Sequence, residues 1–143
     1  AFESGCSIGV LIEQLASLCD QVEAMDISGV AVDRAQQRCS YLTNVHIRRG
    51  AVPEDIPDGE FDLIVFSEIG YYFDDSHLFS LVDQLIRHTN PGGTFIAVHW
   101  LCSSPDHLLS GNCVHEIILG AEGLVLDYSE RHADFRLDRW LRR

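Results

Sequence analysis

Residues 3–9 read Glu-Ser-Gly-Cys-Ser-Ile-Gly. Glycines at 5 and 9 let a chain turn sharply and admit a ligand where a Cβ would stand in the way. The helix that follows such a turn offers free N–H groups at its start. Besides a plain tight turn, two chemistries fit this pattern in part. A dinucleotide site needs G-x-G-x-x-G, but Ser7 and Val10 occupy two of the three glycine positions. A nucleophile elbow needs G-x-S-x-G, which Gly5, Ser7 and Gly9 satisfy literally, making Ser7 the nucleophile. That fold also needs several strands and an oxyanion loop ahead of the turn, and they do not precede it here. Other reactive groups stand at the ends of strand-like runs. Asp26 closes the next run, 23 residues after Glu3, where a carboxylate can accept both hydroxyls of a ribose. Glu68 follows the run 61–67 and His99 closes the run 94–100. A carboxylate and an imidazole at neighbouring strand ends suit proton removal near neutral pH. Tyr71 and Tyr72 add aromatic faces, which attract cations.

A third reading uses more of the chain. Glu3, Gly5 and Gly9 resemble E/D-x-G-x-G-x-G, the first motif of class I S-adenosylmethionine-dependent methyltransferases, with Ser7 in the middle glycine's place. Phe61-Asp-Leu-Ile-Val-Phe-Ser-Glu68 resembles their fourth-strand motif, and Asn90-Pro-Gly-Gly-Thr-Phe-Ile-Ala-Val98 their turn before strand five. With Asp26 these make four signals in the right order and at the right intervals, and this reading outweighs the other two. Gly5-Cys6-Ser7-Ile8-Gly9, Met25-Asp-Ile-Ser28, Ser67-Glu-Ile-Gly-Tyr-Tyr72 and Ala97-Val-His-Trp100 resemble, more closely, the nodulation protein S (NodS-like) methyltransferases. The resemblance runs from the first strand to the last hairpin. It implies a Rossmann-like α/β sheet in the order 3-2-1-4-5-7-6 with the last strand antiparallel. It also implies S-adenosylmethionine as cofactor and methylation of a nitrogen or oxygen on a small, often sugar-derived, acceptor.

The resemblance, with the strand ends, implies that Glu3, Gly5, Cys6, Gly9, Asp26, Ile27, Ala51, Val52, Ser67 and Glu68 hold the cofactor. Tyr71, Tyr72, His99 and Trp100 are expected to face the acceptor, with His99 or Glu68 taking its proton. Ile27 is either core or an apolar shelf for adenine. Many methyltransferases place an acid after strand three to hold the adenine amino group, whereas Gly50-Ala51-Val52 stands here. Backbone groups of Ala51 and Val52, or the carboxylate of Glu54 or Asp55, are the alternatives. The family's N-terminal cap does not precede Ala1, so a single domain with sequence missing upstream is expected.

These residues need strands and helices in alternation to position them, which predicts a mostly parallel sheet. Strands are expected over 1–4, 21–27, 45–49, 61–67 and 94–100, followed by a hairpin of 124–131 and 134–141. A helix over 9–20 is expected to bury Val10, Leu11, Gln14, Leu15 and Leu18, which share one face. Ser28 caps a helix over 29–42, and Asp75 or Ser76 caps one over 77–89. Pro91-Gly92-Gly93 is expected to terminate that helix, and a weaker helix spans 111–121.

Composition narrows the partners. Ten arginines and no lysine oppose 22 acidic residues, for a net charge of −12, a balance that a phosphate backbone repels. Nucleic acid is therefore not expected. No apolar run approaches the length of a membrane span and no signal-peptide pattern occurs, so no membrane partner is expected. Five cysteines without a C-x-x-C pair read as reduced, small hydrophobes of a cytoplasmic protein. Asp106, His107 and His115 lack the spacing of a metal site, and no metal is expected. The oligomeric state is not legible.

Overall fold

Short apolar runs alternate with amphipathic segments, and in the computed structural model, which describes all 143 residues, they become strands and helices in turn. The strands lie in the order β3-β2-β1-β4-β5-β7-β6, the order expected from the family resemblance. The chain divides into two compact units, Ala1–Asp58 and Gly59–Arg143.

The first unit holds β1 (Phe2–Ser4), α1 (Val10–Leu18), β2 (Val22–Asp26), α2 (Gly29–Arg38) and β3 (Val45–Arg49). Its strands are parallel, with Phe2 opposite Glu23, Val22 opposite Val45 and Asp26 opposite Arg49. Helix α1 is rotated from the face its periodicity predicts. Of the expected residues Leu15 alone is buried, together with Ile12, whereas Val10, Leu11, Gln14 and Leu18 are exposed, Leu18 by 81%. Gly9 packs the start of the helix on α2, where a Cβ would lie 3.1 Å from Ala35. That close approach brings inward the positions three and six or seven residues on, at the 3.6-residue period. Helix α2 begins where expected, with Ser28 Oγ accepting the Ala31 N–H at 3.3 Å. It stops at Arg38; beyond it the N–H groups of Ser40 and Leu42 take the carbonyls three residues back, of Gln37 and Cys39, which tightens the chain.

The second unit holds β4 (Phe61–Ser67), a 3-10 turn (Gly70–Tyr72), α3 (Asp75–Arg87), β5 (Thr89–Trp100), α4 (Gly111–Leu119), β6 (Leu124–Arg131) and β7 (Phe135–Arg142). Strand β4 pairs in parallel with β5, and β7 lies antiparallel to both β5 and β6. Ile64, Val65 and Phe66 on β4 and Leu78, Leu81, Val82, Leu85 and Ile86 on α3 are buried, as the continuous apolar run and the helical spacing require. Asp74, not Asp75 or Ser76, caps α3, because its carboxylate accepts the His77 N–H at 2.9 Å. Asp75 then sits in the first turn, where its charge meets the helix dipole. The Pro91–Gly93 segment also departs from expectation. The helix has already ended at Arg87, and Pro91–Gly93 lies inside β5, beside a register shift between Phe61 and Leu63. Backbone crowding requires a small residue here, since a Cβ on Gly93 would lie 2.7 Å from the Asn90 carbonyl oxygen. The 3-10 turn has no counterpart in the sequence reading. No helix is long and apolar enough to cross a membrane.

The contact between Gly9 and α2 is testable. Gly9 has φ +84° and would carry its Cβ into Ala35. Gly9→Ala is expected to lower unfolding stability by about 1–3 kcal/mol. Urea titration should record a lower midpoint with an unchanged slope; an unchanged midpoint would remove Gly9 as the contact that orients α1.

Candidate functional site

In the first unit, β1 delivers the chain into a loop whose conformation few residues tolerate. Gly5, Ser7 and Gly9 have φ values of 75°, 49° and 84°. Ser7 therefore adopts the left-handed backbone that a glycine would take at no steric cost. Asp26 holds it there: its Oδ2 accepts the Ser7 N–H at 2.8 Å, and its Oδ1 accepts the Ser28 N–H at 2.9 Å. The Met25 carbonyl binds the loop from the same strand end, accepting the Gly5 and Cys6 N–H groups at 2.9 Å each. Each Asp26 oxygen keeps a further lone pair for a hydroxyl donor. Ile27, the next residue, is 69% exposed, so of the two roles open to it the core is ruled out.

Glu3 lies under this loop, 4% exposed, and its Oε2 has no hydrogen-bond partner. Burial first, and the charge of Asp26 second, raise its carboxyl to about 7. The buried Cys6 thiol is pushed up to about 12 by burial and then by the charges of Glu3 and Asp26, so it is no nucleophile. The Ser7 hydroxyl makes no hydrogen bond to an imidazole, and His46 of this unit is engaged with Glu23 at 2.9 Å; an elbow nucleophile has no base beside it. After β3, the Ala51 N–H donates to Asp55 Oδ2 and the Ala51 carbonyl accepts the Asp55 N–H, each at 2.8 Å. The expected Ala51 amide is therefore already spent within the loop, while the Val52 N–H has no partner.

In the second unit the expected residues gather at the carboxyl ends of β4 and β5. Half-buried Ser67 ends β4. Glu68 follows at φ 58°, a strained value for its type, and donates its N–H to the Val98 carbonyl at 2.9 Å. Its carboxylate accepts the Tyr71 hydroxyl. Tyr71 is buried, and its hydroxyl is pushed above the ordinary tyrosine range by burial and then by Glu68. The Tyr71 ring stacks on His107 at 3.7 Å, and its carbonyl takes the N–H groups of Leu108 and Leu109. Tyr72 and Trp100 are half-exposed, at 50% and 41%.

His99 is placed differently from expectation. It is fully buried, and its Nε2 accepts the Gly70 N–H at 3.0 Å. Its proton must then sit on Nδ1, directed at His115 Nε2 3.3 Å away. His115 in turn directs its Nδ1 proton at Asp138 Oδ2, 2.7 Å away. Asp138 also accepts Arg136 Nε at 2.8 Å and the Ser129 hydroxyl at 2.6 Å. Burial, with the charges of His115 and His107 after it, pulls His99 down to about 3. With both ring nitrogens engaged and no solvent contact, His99 is not poised to take an acceptor's proton; it holds the 3-10 turn. A Cβ on Gly70 would stand 2.9 Å from His99 Nε2 and 2.5 Å from Val114 Cγ1, so the turn packs directly on the imidazole. Sequence reading missed His115, Arg136 and Asp138 as members of this chain. The available signal was Arg136 and Asp138 at i and i+2, which share one strand face.

Comparison with known proteins agrees with the strand order. A family model described as a methyltransferase domain matches residues 1–93. A nodulation protein S of Rhizobium tropici is 31% identical over 97 residues, 67% of this chain and 41% of that protein; the match spans less than half of the relative's length. A crystal structure of a protein from Pseudomonas syringae assigned as a methyltransferase superposes with a TM-score of 0.86 at 35% identity, covering 99% of this chain and 85% of that one. The N-methyltransferase NodS of Bradyrhizobium japonicum WM9, crystallised with S-adenosyl-L-homocysteine, shares the fold. It gives a TM-score of 0.85 at 24% identity, over 99% of this chain and 76% of that one.

Two outcomes follow from the buried groups. Glu3 binds its proton more tightly folded, at about 7, than unfolded, near 4.5. Its contribution to stability is thus greatest below the unfolded value and is lost as pH rises through about 7. Glu3→Gln should flatten that window, gaining on the order of 2–4 kcal/mol over the parent by pH 8; parallel pH profiles in chemical unfolding would contradict it. His99→Ala orphans the Gly70 N–H and His115 and is expected to cost about 2–5 kcal/mol. A loss below about 0.5 kcal/mol on the same assay would contradict the buried chain, since that is the range of unremarkable surface changes.

Proposed function

The chain belongs to the methyltransferase domain family, and from that premise we propose that it transfers a methyl group from S-adenosylmethionine to a nitrogen or oxygen of a small acceptor. The observation that carries the reading is the Asp26 carboxylate, clamped by two amides yet keeping a lone pair on each oxygen, with exposed Ile27 next to it. A ribose diol fits such an acceptor, and an adenine ring fits the apolar shelf. The unpartnered Oε2 of Glu3 supports the same ligand from the other end, since a buried carboxylate without a donor is satisfied by an ammonium group. Gly5 and Gly9, at φ 75° and 84°, give the loop between them its left-handed turns at no steric cost. When bound, the cofactor supplies a methyl group already activated on a sulfonium sulfur.

The protein's own task is then alignment and the removal of one proton. Glu68 is exposed, and its carboxylate orientation is set by the Tyr71 hydroxyl; it is the group assigned to take the acceptor's proton. Tyr72 and Trp100 offer aromatic surface to the acceptor. His99, through Gly70, fixes the turn that carries Tyr71 and is a positioning residue. The net charge of −12 supports a small-molecule acceptor over a nucleic acid, and five free cysteines support a cytoplasmic setting.

Calorimetric binding of S-adenosylmethionine followed by transfer of a radiolabelled methyl group to a panel of amines, hydroxy compounds and amino sugars tests the proposal. Binding without transfer to any member would favour a non-catalytic cofactor-binding module. Asp26→Ala should weaken cofactor affinity about 100-fold or more, since each hydrogen bond to a charged group contributes about 1.5–3 kcal/mol. Unchanged affinity in a folded variant would remove Asp26 from the site. Glu68→Gln should slow single-turnover transfer by about 100-fold or more at unchanged cofactor affinity; transfer at the parent rate would contradict its role.

A further inference from the structure

Beside the contact of α1 with α2 lies a groove of about 490 Å³, lined by Ile8, Glu13, Arg34, Gln37 and Arg38. Arg34, Gln37 and Arg38 stand at i, i+3 and i+4 of α2, so their side chains leave the helix as neighbours. Their polar groups are unequally committed. Arg38 donates from Nε to the Ile8 carbonyl at 3.1 Å and from Nη1 to Glu13 Oε2 at 3.2 Å. The Tyr41 hydroxyl donates to the other Glu13 oxygen at 2.8 Å. These bonds, that of Tyr41 first, hold the Glu13 carboxyl below the ordinary glutamate range, so the one acid lining the groove is already answered. Arg34 and the Gln37 amide are exposed and make no side-chain hydrogen bond or ion pair. Two guanidinium groups against one carboxylate leave the groove a surplus positive charge, in a chain whose net charge is −12.

We propose that this groove binds the phosphoryl group of a small phosphorylated ligand, and that its occupancy is linked to the adjoining Gly5–Gly9 loop. The free donors sit on three side chains: the Arg34 fork, the Gln37 amide and Nη2 of Arg38. A phosphoryl group offers three oxygens to such a set, whereas a planar carboxylate is matched by one fork alone. Ile8 supplies an apolar wall for the rest of the ligand. The link runs through Arg38. Its guanidinium holds the Ile8 carbonyl, while Asp26 holds the N–H of the neighbouring Ser7. An anion on Nη2 restrains the same guanidinium and steadies its bond to the loop. Such coupling is reciprocal, so whatever steadies the loop also tightens a ligand that the loop holds. The link rests on the S-adenosylmethionine reading above; the phosphoryl site does not.

NMR titration of the full chain with inorganic phosphate, at an ionic strength held constant with sodium chloride, tests the site. The Nε–H signals of Arg34 and Arg38 should shift together and saturate in the millimolar range, as befits exposed charges. Acetate should bind about fivefold more weakly or less well still. Arg34 holds no other polar group, so Arg34→Ala should fold as the parent does and weaken phosphate about fivefold or more. Arg34→Lys, which keeps the charge and loses the fork, should lie between. Calorimetry should find S-adenosylhomocysteine bound about fivefold more tightly at saturating phosphate, the low end of common couplings, with no such gain in Arg34→Ala. Shifts that do not saturate, or a phosphate affinity unchanged in Arg34→Ala, would overturn the site. Acetate bound as tightly as phosphate would overturn the phosphoryl class. Saturable phosphate binding that leaves S-adenosylhomocysteine affinity unchanged would overturn the link. A parent that binds phosphate but no S-adenosylhomocysteine would overturn the cofactor reading and leave the site standing.

Discussion

Two amide groups from different loops, those of Ser7 and Ser28, end on the two oxygens of one carboxylate, Asp26. The local structure of the first unit depends on that arrangement. Parallel pairing with β3 places Asp26 opposite Arg49 at the carboxyl end of β2, and the Met25 carbonyl anchors Gly5 and Cys6 from the same end. Ser7 adopts a left-handed backbone that costs a non-glycine residue roughly 1–2 kcal/mol. A hydrogen bond to a charged acceptor contributes about 1.5–3 kcal/mol, enough to hold the residue there. The loop is thereby shaped before any ligand arrives, and ligand binding need not pay to order it. Burying Glu3 beneath the loop works the other way, since its proton is lost more reluctantly than in water.

The second unit uses buried polarity differently. A histidine without solvent is tolerable only if both nitrogens are satisfied, and the chain from Gly70 through His99 and His115 to Asp138 satisfies them all. Arg136 extends it to Glu116 near the surface, at 2.9 Å. Each member fixes the tautomer of the next, so the network sets a single geometry for the 3-10 turn. Through that turn it also fixes Tyr71, whose carbonyl carries Leu108 and Leu109 and whose hydroxyl orients Glu68.

Elements with strong local signals were legible from residue types alone. The alternating run 45–49 and the apolar run 61–67 became β3 and β4 without a change of boundary, and Ser28 capped α2 as its type predicts. Misreadings arose where a contact distant in sequence decided the outcome. Gly9 packs the start of α1 on α2 at Ala35, and backbone pairing with Phe61 drew Thr89–Gly93 into β5. The candidate site divides along the same line. Glu3, Gly5, Gly9 and Asp26 stand close in a motif with fixed spacing. His99 was visible as an imidazole at a strand end, but its partners His115 and Asp138 come from α4 and β7, and only the folded chain reveals that both its nitrogens are used.

The central claim is that the Asp26 clamp and the loops it joins hold an adenosyl ligand. An amide-resolved NMR titration of the intact chain with S-adenosylhomocysteine measures this most directly. The account predicts that the Ser7, Ser28 and Val52 amide signals shift together and saturate with one dissociation constant. Saturable shifts confined to other residues, or none at all, would contradict it.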